Sequence, residues 1–317
     1  MQVYYGAKQT FRNVTRQALD HFLTDCRLEF PESDEGRARV FGDPCFGIVK
    51  EIRIMDQDDS MIILPAGQTL TLSITQPIQD QIDTPRGWWN RHAASIANPD
   101  ERLQALHAHI QLNHGGMDEE YCEQKMAVRY IKPDATVLEL GGNIGRNTVV
   151  ISTILSNPER HVVCESDANI ARQLQENCTR NHLTTVVLPV ALSKRKLIQR
   201  GWDTIPSEFV LPGYTEVKTM SYETICQTYS LRFDTIVADC EGALYYILQD
   251  EPTLLEGIHT VLLENDFPDR QQKDAVDAKL KAYGFECVYT DTIDHYMVRT
   301  KFSHSKDCFY QVWTRAV

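Results

Sequence analysis

The stretch Val137-Leu138-Glu139-Leu140-Gly141-Gly142-Asn143-Ile144-Gly145-Arg146-Asn147 decides how this chain folds. An apolar run carrying one acid passes into three glycines and then into a helical pattern that begins at Arg146. Glycine admits positive φ and lets a ligand come close to the main chain. Twenty residues beyond Gly145, at the end of the next apolar run (His161-Val162-Val163-Cys164-Glu165), stands a second acid, Glu165. In doubly wound sheets an acid at that place accepts hydrogen bonds from a ribose diol. These features predict a nucleoside-containing ligand at the carboxyl edge of two neighbouring strands.

The type of nucleoside follows from what the loop lacks. A dinucleotide fingerprint needs G-x-G-x-x-G, with the pyrophosphate on the helix N-terminus. Counted from Gly141, the second and third glycine positions hold Asn143 and Arg146. The acid Glu139, two residues before the first glycine, would repel a pyrophosphate but suits a cationic amino-acid group. S-adenosyl-L-methionine carries such a group and no phosphate. The alternative is a glycine-rich turn with no ligand at all.

Outward from this segment, strand-like and helical stretches alternate to the C-terminus. Strands are expected at Thr136–Leu140, His161–Glu165, Thr185–Leu188, Phe233–Asp239, His259–Glu264, Phe285–Thr290 and Phe309–Trp313. Helices are expected at about 146–156, 168–181, 243–250 and 270–283. Such alternation predicts an α/β fold, a mostly parallel sheet covered by helices on both faces. The first eighty residues read differently. Short apolar runs (Val3-Tyr4-Tyr5, Ile48–Ile54, Met61–Leu64, Leu70–Ile74) separated by turn formers predict a small β-sandwich-like domain. Between them, apolar residues at helical spacing in Asp100–Leu112 and Asp118–Tyr130 predict a helical connector. The domain expectation is therefore 1–80, 81–128 and 129–317. Arg86-Gly87-Trp88-Trp89-Asn90-Arg91-His92 stands out as an aromatic and basic cluster, open to ligand contact or to packing.

Composition excludes several classes of function. A net charge of −12 over 317 residues opposes a nucleic-acid binder that works by neutralising phosphates. No run approaches the ~18 apolar residues of a spanning helix, and the N-terminus has no basic segment followed by an apolar core. A soluble, cytoplasmic protein with no membrane contact is expected. The nine cysteines come no closer than 14 residues apart, so no zinc-knuckle spacing exists, and reduced structural thiols are expected.

Four motifs in order carry a family resemblance. They are the glycine segment with its lead-in Glu120–Asp134, then Cys164-Glu165-Ser166-Asp167-Ala168-Asn169, then Pro189-Val190-Ala191-Leu192-Ser193, and finally Phe233 to Ala243, with Asp239-Cys240-Glu241-Gly242 at its heart. Over roughly residues 118–315 the chain resembles the FkbM-type family of class I S-adenosylmethionine-dependent methyltransferases. The resemblance implies a Rossmann-like sheet of seven strands with the last antiparallel, and methyl transfer to oxygen, with a sugar hydroxyl of a glycan or glycoconjugate as acceptor. It implies that Glu139 and the Gly141–Gly145 backbone, Asn143 included, hold the methionine part. Glu165 then takes the ribose hydroxyls, Ser166 and Asp167 lie beside ribose or adenine, and Val190 and Ala191 lie near the adenine. For Asp167 an N-cap of the following helix is the competing assignment, and the one preferred. Two departures stand where the acceptor is chosen: a long, basic stretch from Lys194 to Tyr222, and the strand ending Glu264-Asn265-Asp266-Phe267.

An alcohol acceptor needs a proton acceptor, commonly a carboxylate or histidine. Asp239 and Glu241, at a strand's carboxyl end, adjoin the crevice where open α/β sheets bind ligands. Asp239 is expected to orient the acceptor or the methionine ammonium and Glu241 to shape the acceptor side; His295 is a third catalytic candidate. His114 and Glu264 are further candidates. Asp239 and Glu241 could pair on Mg²⁺, but the sequence names no third ligand and no metal is expected. Lys194-Arg195-Lys196 with Arg200 reads as a phosphate contact or, preferably, an exposed loop.

A second resemblance covers roughly residues 1–75. Tyr5-Gly6-Ala7, Asn13-Val14-Thr15, Asp43-Pro44-Cys45-Phe46-Gly47 and Lys50 fall in an order similar to that of a small β module. That module occurs at the C-terminus of some J-domain cochaperones and beside some sugar-modifying enzymes. It implies a protein or glycan contact through residues 1–80. Two rival functions stay open: methylation of another acceptor (a small-molecule hydroxyl or a protein), and a non-catalytic binding scaffold.

Overall fold

Residues 2–24, 27–55, 61–73, 84–292 and 301–316 are described by the computed structural model. They form two compact units, residues 1–91 and 92–317. In the first unit β1 (Gln2–Ala7), β2 (Thr10–Asn13), α1 (Thr15–Phe22), β3 (Leu23–Thr24), β4 (Arg27–Glu29), α2 (Asp34–Phe41), β5 (Glu51–Met55), β6 (Met61–Leu64) and β7 (Thr71–Ser73) follow one another. They make two antiparallel sheets, β2-β1-β5-β6 and β3-β4-β7. Along β5 burial alternates, with Ile52 and Ile54 inside, as a one-face-buried strand requires. The two helices, absent from the sequence reading, close the same core: Ala18, Leu19 and Phe41 join Tyr5, Leu28 and Ile52.

The residues behind the second resemblance hold this unit together. Lys50 is almost fully buried and its Nζ lies 3.3 Å from Asp34 and 3.0 Å from Asp43 while donating to the Ile48 carbonyl. The Tyr5 hydroxyl donates to Asp34 at 2.6 Å. A buried ammonium needs such partners, and these tie α2 and the 43–50 loop to β1.

Helix α3 (Pro85–His92) carries both tryptophans. Trp89 is buried and Trp88 half-buried, a division that a helix allows between neighbours. In the second unit α4 (Pro99–His107) and α5 (Tyr121–Tyr130) lead into β8 (Val137–Leu140) and α6 (Arg146–Ile154). Then come β9 (His161–Cys164), α7 (Ala168–Arg180) and β10 (Val186–Leu188). An excursion follows: β11 (Ala191–Leu192), β12 (Leu197–Arg200), β13 (Asp203–Pro206), β14 (Thr215–Val217), β15 (Thr219–Met220) and α8 (Tyr222–Tyr229). The chain ends with β16 (Thr235–Ala238), α9 (Ala243–Asp250), β17 (Thr260–Glu264), α10 (Arg270–Ala282), β18 (Glu286–Asp291) and β19 (Tyr310–Thr314).

The seven main strands stand in the order β10-β9-β8-β16-β17-β19-β18. The first five are parallel, and β19, the last in sequence, runs antiparallel to both of its neighbours. This is the Rossmann-like sheet of seven strands, the last antiparallel, that the resemblance implied. Every residue of β8, β9 and β16 is buried, as expected for strands covered on both faces. Strand order reverses between β8 and β16, so a crevice opens at their carboxyl ends. The stretch read as a long basic loop is ordered instead: β12, β13 and β14 form a small antiparallel sheet, and β11 pairs with β15. Among the described residues no helix is long and apolar enough to cross a membrane.

Candidate functional site

The glycine segment joins the two central strands at their carboxyl ends. Gly141 has φ of +83°, and a Cβ there would lie 1.6 Å from the main-chain carbonyl oxygen of Asp239. No side chain larger than hydrogen fits. At Gly142 a Cβ would meet Val163 at 2.4 Å and Leu174 at 2.5 Å, pressing the loop onto β9 and α7. Asn143 takes the left-handed conformation (φ +47°), which Asn tolerates better than most residues. The loop's own N–H groups are engaged. Gly141 and Gly142 donate to the Cys164 carbonyl, Asn143 to Glu165, Ile144 to the Asn143 side chain and Gly145 to the Gly142 carbonyl. The loop therefore offers room and shape more than free donors.

Glu165 is nearly fully buried and held from both sides. Its Oε2 accepts the Asn143 N–H and its Oε1 the Asp167 N–H, each at 2.9 Å, with the Ser166 hydroxyl at 3.4 Å. Burial pushes its pKa up, and these backbone donors oppose that shift. Asp167 caps α7, accepting the N–H groups of Asn169 and Ile170, which is the preferred sequence assignment. Glu139 goes elsewhere than expected. It is 2% exposed, its Oε2 accepts the Thr148 hydroxyl at 2.7 Å, and the His161 Nε2 lies 3.0 Å away. His161 in turn meets Ser152 through Nδ1. Glu139 thus belongs to a buried polar network between β8, β9 and α6 and does not reach the cavity. Gly145 does not line the cavity either; in the left-handed conformation it opens α6.

A cavity of about 260 Å³ occupies the switch point. It brings together Gly141, Asn143, Glu165, Ser166, Ala191, Asp239 and Glu241, seven of the residues singled out from the sequence. Its outer wall comes from the β12–β13 hairpin, through Gln199, Trp202 and Thr204, and from Tyr246 of α9. Those wall residues carried no signal of their own, since the hairpin read as a loop.

The β16–β17 side of the crevice is strongly acidic. Asp239 and Glu264 have pKa values pushed well up, first by burial, then for Asp239 by Asp266 and Glu123 and for Glu264 by Asp239 and Glu123. Glu123 on α5 is pushed up by burial, and Glu120 and Asp266 are each raised to about 7 for the same leading reason. Asp266 accepts the Gly242 N–H at 2.9 Å, fixing the loop after β16. In that loop Glu241 is left-handed (φ +51°), half-exposed, and 3.6 Å from the Lys301 Nζ. Asn265 between the two acids is structural, donating to the carbonyls of Cys308 and Phe309 and to Gln311. Sequence reasoning missed Glu120, which accepts from Asn143 and Arg146 at 2.9 Å each. Its place one residue before α5 was legible; its approach to the glycine loop was not.

Of the remaining charged candidates among the described residues, only Arg195 lines the cavity, beside its partner Asp250. His114 is 2.5 Å from Glu176 on α7 and does not line the cavity. Lys194, Arg195 and Lys196 pair with Glu251, Asp250 and Glu208, so the basic run is neutralised within the chain. His295 falls outside the described residues.

No family model and no curated protein matches the sequence. Among solved structures the chain is similar to a putative O-methyltransferase from Klebsiella pneumoniae, at 12% identity over 72% of this chain and 96% of that one, with a TM-score of 0.38. It is similar also to an O-methyltransferase from Bacillus cereus in complex with SAH, at 12% identity over 74% and 100%, TM-score 0.37. A third is the ribosomal protein L11 methylase from Lactobacillus delbrueckii subsp. bulgaricus, at 12% identity over 65% and 82%, TM-score 0.38. At such values no property of those proteins is transferred to this one.

Proposed function

We propose that the chain is an S-adenosyl-L-methionine-dependent methyltransferase of the FkbM type, acting on an oxygen acceptor such as a sugar hydroxyl. The observation that carries this reading is Glu165, a buried carboxylate in the cavity wall, oriented by two backbone N–H groups. Its Oε2 keeps a lone pair for a ribose hydroxyl, and its Oε1 gains one when the long Ser166 contact gives way. The residues fit the donor in a second respect: the crevice is acidic where the methionine ammonium and sulfonium would lie, and Arg146, the buried cation beside it, is already bound by Glu119 and Glu120. When bound, the donor supplies an electrophilic methyl group.

The chain's contribution is positioning and proton handling. Glu165 fixes the ribose end, and the close approach of Gly141 to Asp239 sets the distance between donor and acceptor sides. Asp239 faces the cavity and is the carboxylate placed to orient the acceptor hydroxyl and, in its ionised form, to receive its proton. Glu241, on the same loop, lines the acceptor side. The hairpin carrying Trp202 shields the cavity from water. Residues 1–80 are proposed as a docking or substrate-presenting module, in line with their resemblance.

Calorimetric titration of S-adenosylmethionine into the purified full chain tests the reading. Micromolar binding is expected, weakened about a hundredfold in Glu165→Ala, which loses two charge-assisted hydrogen bonds. No binding by folded wild-type protein sinks the donor assignment and leaves the scaffold function.

A further inference from the structure

Glu123, Asp239 and Glu264 each bring one carboxylate oxygen to a common point; the three oxygens lie within 4.8 Å of one another. They come from three separate elements, α5, the end of β16 and the end of β17. The cations nearest this part of the crevice are directed to other acids. Arg146 is taken by Glu119 and Glu120, and Lys301 approaches Glu241.

An independent feature points to a ligand. Glu123 is 6% exposed, and outside the carboxylate cluster its Oε2 meets no hydrogen-bond donor among the described residues. A buried carboxylate oxygen left bare costs stability unless something positive meets it. Glu123 is aimed into the cluster rather than toward solvent, and Asp239 opens the cluster onto the cavity.

We propose that Glu123, Asp239 and Glu264 form a binding site for one hard divalent cation of the Mg²⁺, Mn²⁺ or Ca²⁺ class. The chemistry of the donor set selects that class: only carboxylate oxygens converge, with no imidazole or thiolate among them. A triangle of oxygens with sides of at most 4.8 Å has a centre no more than about 2.8 Å from each of them, close to the upper end of the 2.0–2.6 Å typical of such ions. Three protein ligands leave coordination positions for water or for an acceptor oxygen on the cavity side. The missing third ligand of the sequence reading is thus Glu123, and Glu264 stands where Glu241 was considered. The acceptor's part in this site rests on the methyltransferase reading; the cation site itself rests on the carboxylates.

The test uses the full chain after treatment with chelator, with Mn²⁺ as the probe and its electron paramagnetic resonance signal as the count of free ion. About one Mn²⁺ per chain is expected, displaced by Mg²⁺, with Glu123→Gln and Glu264→Gln each weakening binding about tenfold or more. Added Mn²⁺ should raise the Tm of the wild type and leave that of Glu123→Gln unmoved. If one variant fails to fold, Asp239→Asn takes its place. Folded wild-type protein that binds no Mn²⁺ at millimolar concentration, or variants that bind it like wild type, would overturn the site. Donor titration in chelator is read separately: intact donor binding without Mn²⁺ binding removes the cation site alone, and lost donor binding with intact Mn²⁺ binding removes the donor assignment alone.

Discussion

On the β8–β9 side of the switch point Glu139, Glu165 and Asp167 each have protein donors as partners, whereas on the β16–β17 side Glu123, Asp239 and Glu264 crowd against one another. The first arrangement is settled before any ligand arrives. Glu165 is held by main-chain donors at both of its oxygens. The second arrangement resists ionisation, because like charges in a buried setting repel strongly, and its carboxyls hold their protons to higher pH. On the proposed reading, one half of the crevice would receive hydroxyl groups and the other positive charge. Gly141 links the halves, since its loop belongs to β8 and its missing side chain makes room for the backbone of Asp239.

The largest effect is therefore expected at that link. Gly141→Ala places a methyl group against a main-chain oxygen that cannot move aside without shifting β16, and does so at a left-handed φ. A loss of about 3 kcal/mol or more is expected, among the large single-residue effects. Gly47→Ala is the control, with φ of +74° but nothing within 4 Å of the new Cβ, and should cost only about 1 kcal/mol. Thermal denaturation of the two variants beside wild type gives the comparison. Equal, small losses would mean that the two strand ends are further apart than described here.

A smaller effect separates the two acids that the sequence treated as partners. Glu139→Gln should destabilise the protein by roughly 1–3 kcal/mol, because the amide cannot satisfy both Thr148 and His161. Affinity for S-adenosylmethionine should stay within about threefold of wild type, in contrast to the loss at Glu165, since Glu139 faces away from the cavity. A tenfold weaker titration curve at unchanged Tm would return Glu139 to the donor site.

That contrast shows what the sequence could and could not convey. Strand and helix order from β8 onward was legible because fully apolar strands and 3.6-residue periodicity repeat at short, regular intervals. The place of Glu165 in the cavity wall was legible because it follows from its position at a strand end, a one-dimensional property. Glu139 was not, because the face toward which a buried strand residue points is set by register against α6, and β8 is apolar on both sides. The β12–β14 hairpin was missed because Lys194–Lys196 and its flanking polar residues hide short strands whose pairing is tertiary. Glu123 lay in a predicted helix, yet its meeting with Glu264 joins residues 141 positions apart, and no local pattern announces that.

The smallest effect concerns pH and sharpens the acidic half. Glu120 has a folded-state pKa of about 7, raised by burial first and by Glu123 next, with Glu139 also raising it and Arg146 pulling it down. Its unfolded value lies near the usual 4.5. A carboxyl whose pKa is raised on folding stabilises the fold in its protonated form. That contribution is complete below about 4.5 and fades as the pH climbs through 7. The shifts of Glu123, Asp239 and Glu264 run in the same direction. In chelator, the Tm of the wild type should therefore fall by a few degrees between pH 6 and pH 8. Glu120→Gln, which keeps the hydrogen-bonding shape toward Asn143 without a titrating proton, should flatten part of that slope. Acids on the other side of the ledger (Asp43, Asp250 and Asp291, whose pKa values are lowered) lose their contribution only at much lower pH and do not interfere in this window. A Tm that is level or rises from pH 6 to pH 8 in chelator would mean that these carboxylates are already ionised in the metal-free fold. The contrast between the two halves of the crevice would then lie in shape and not in charge.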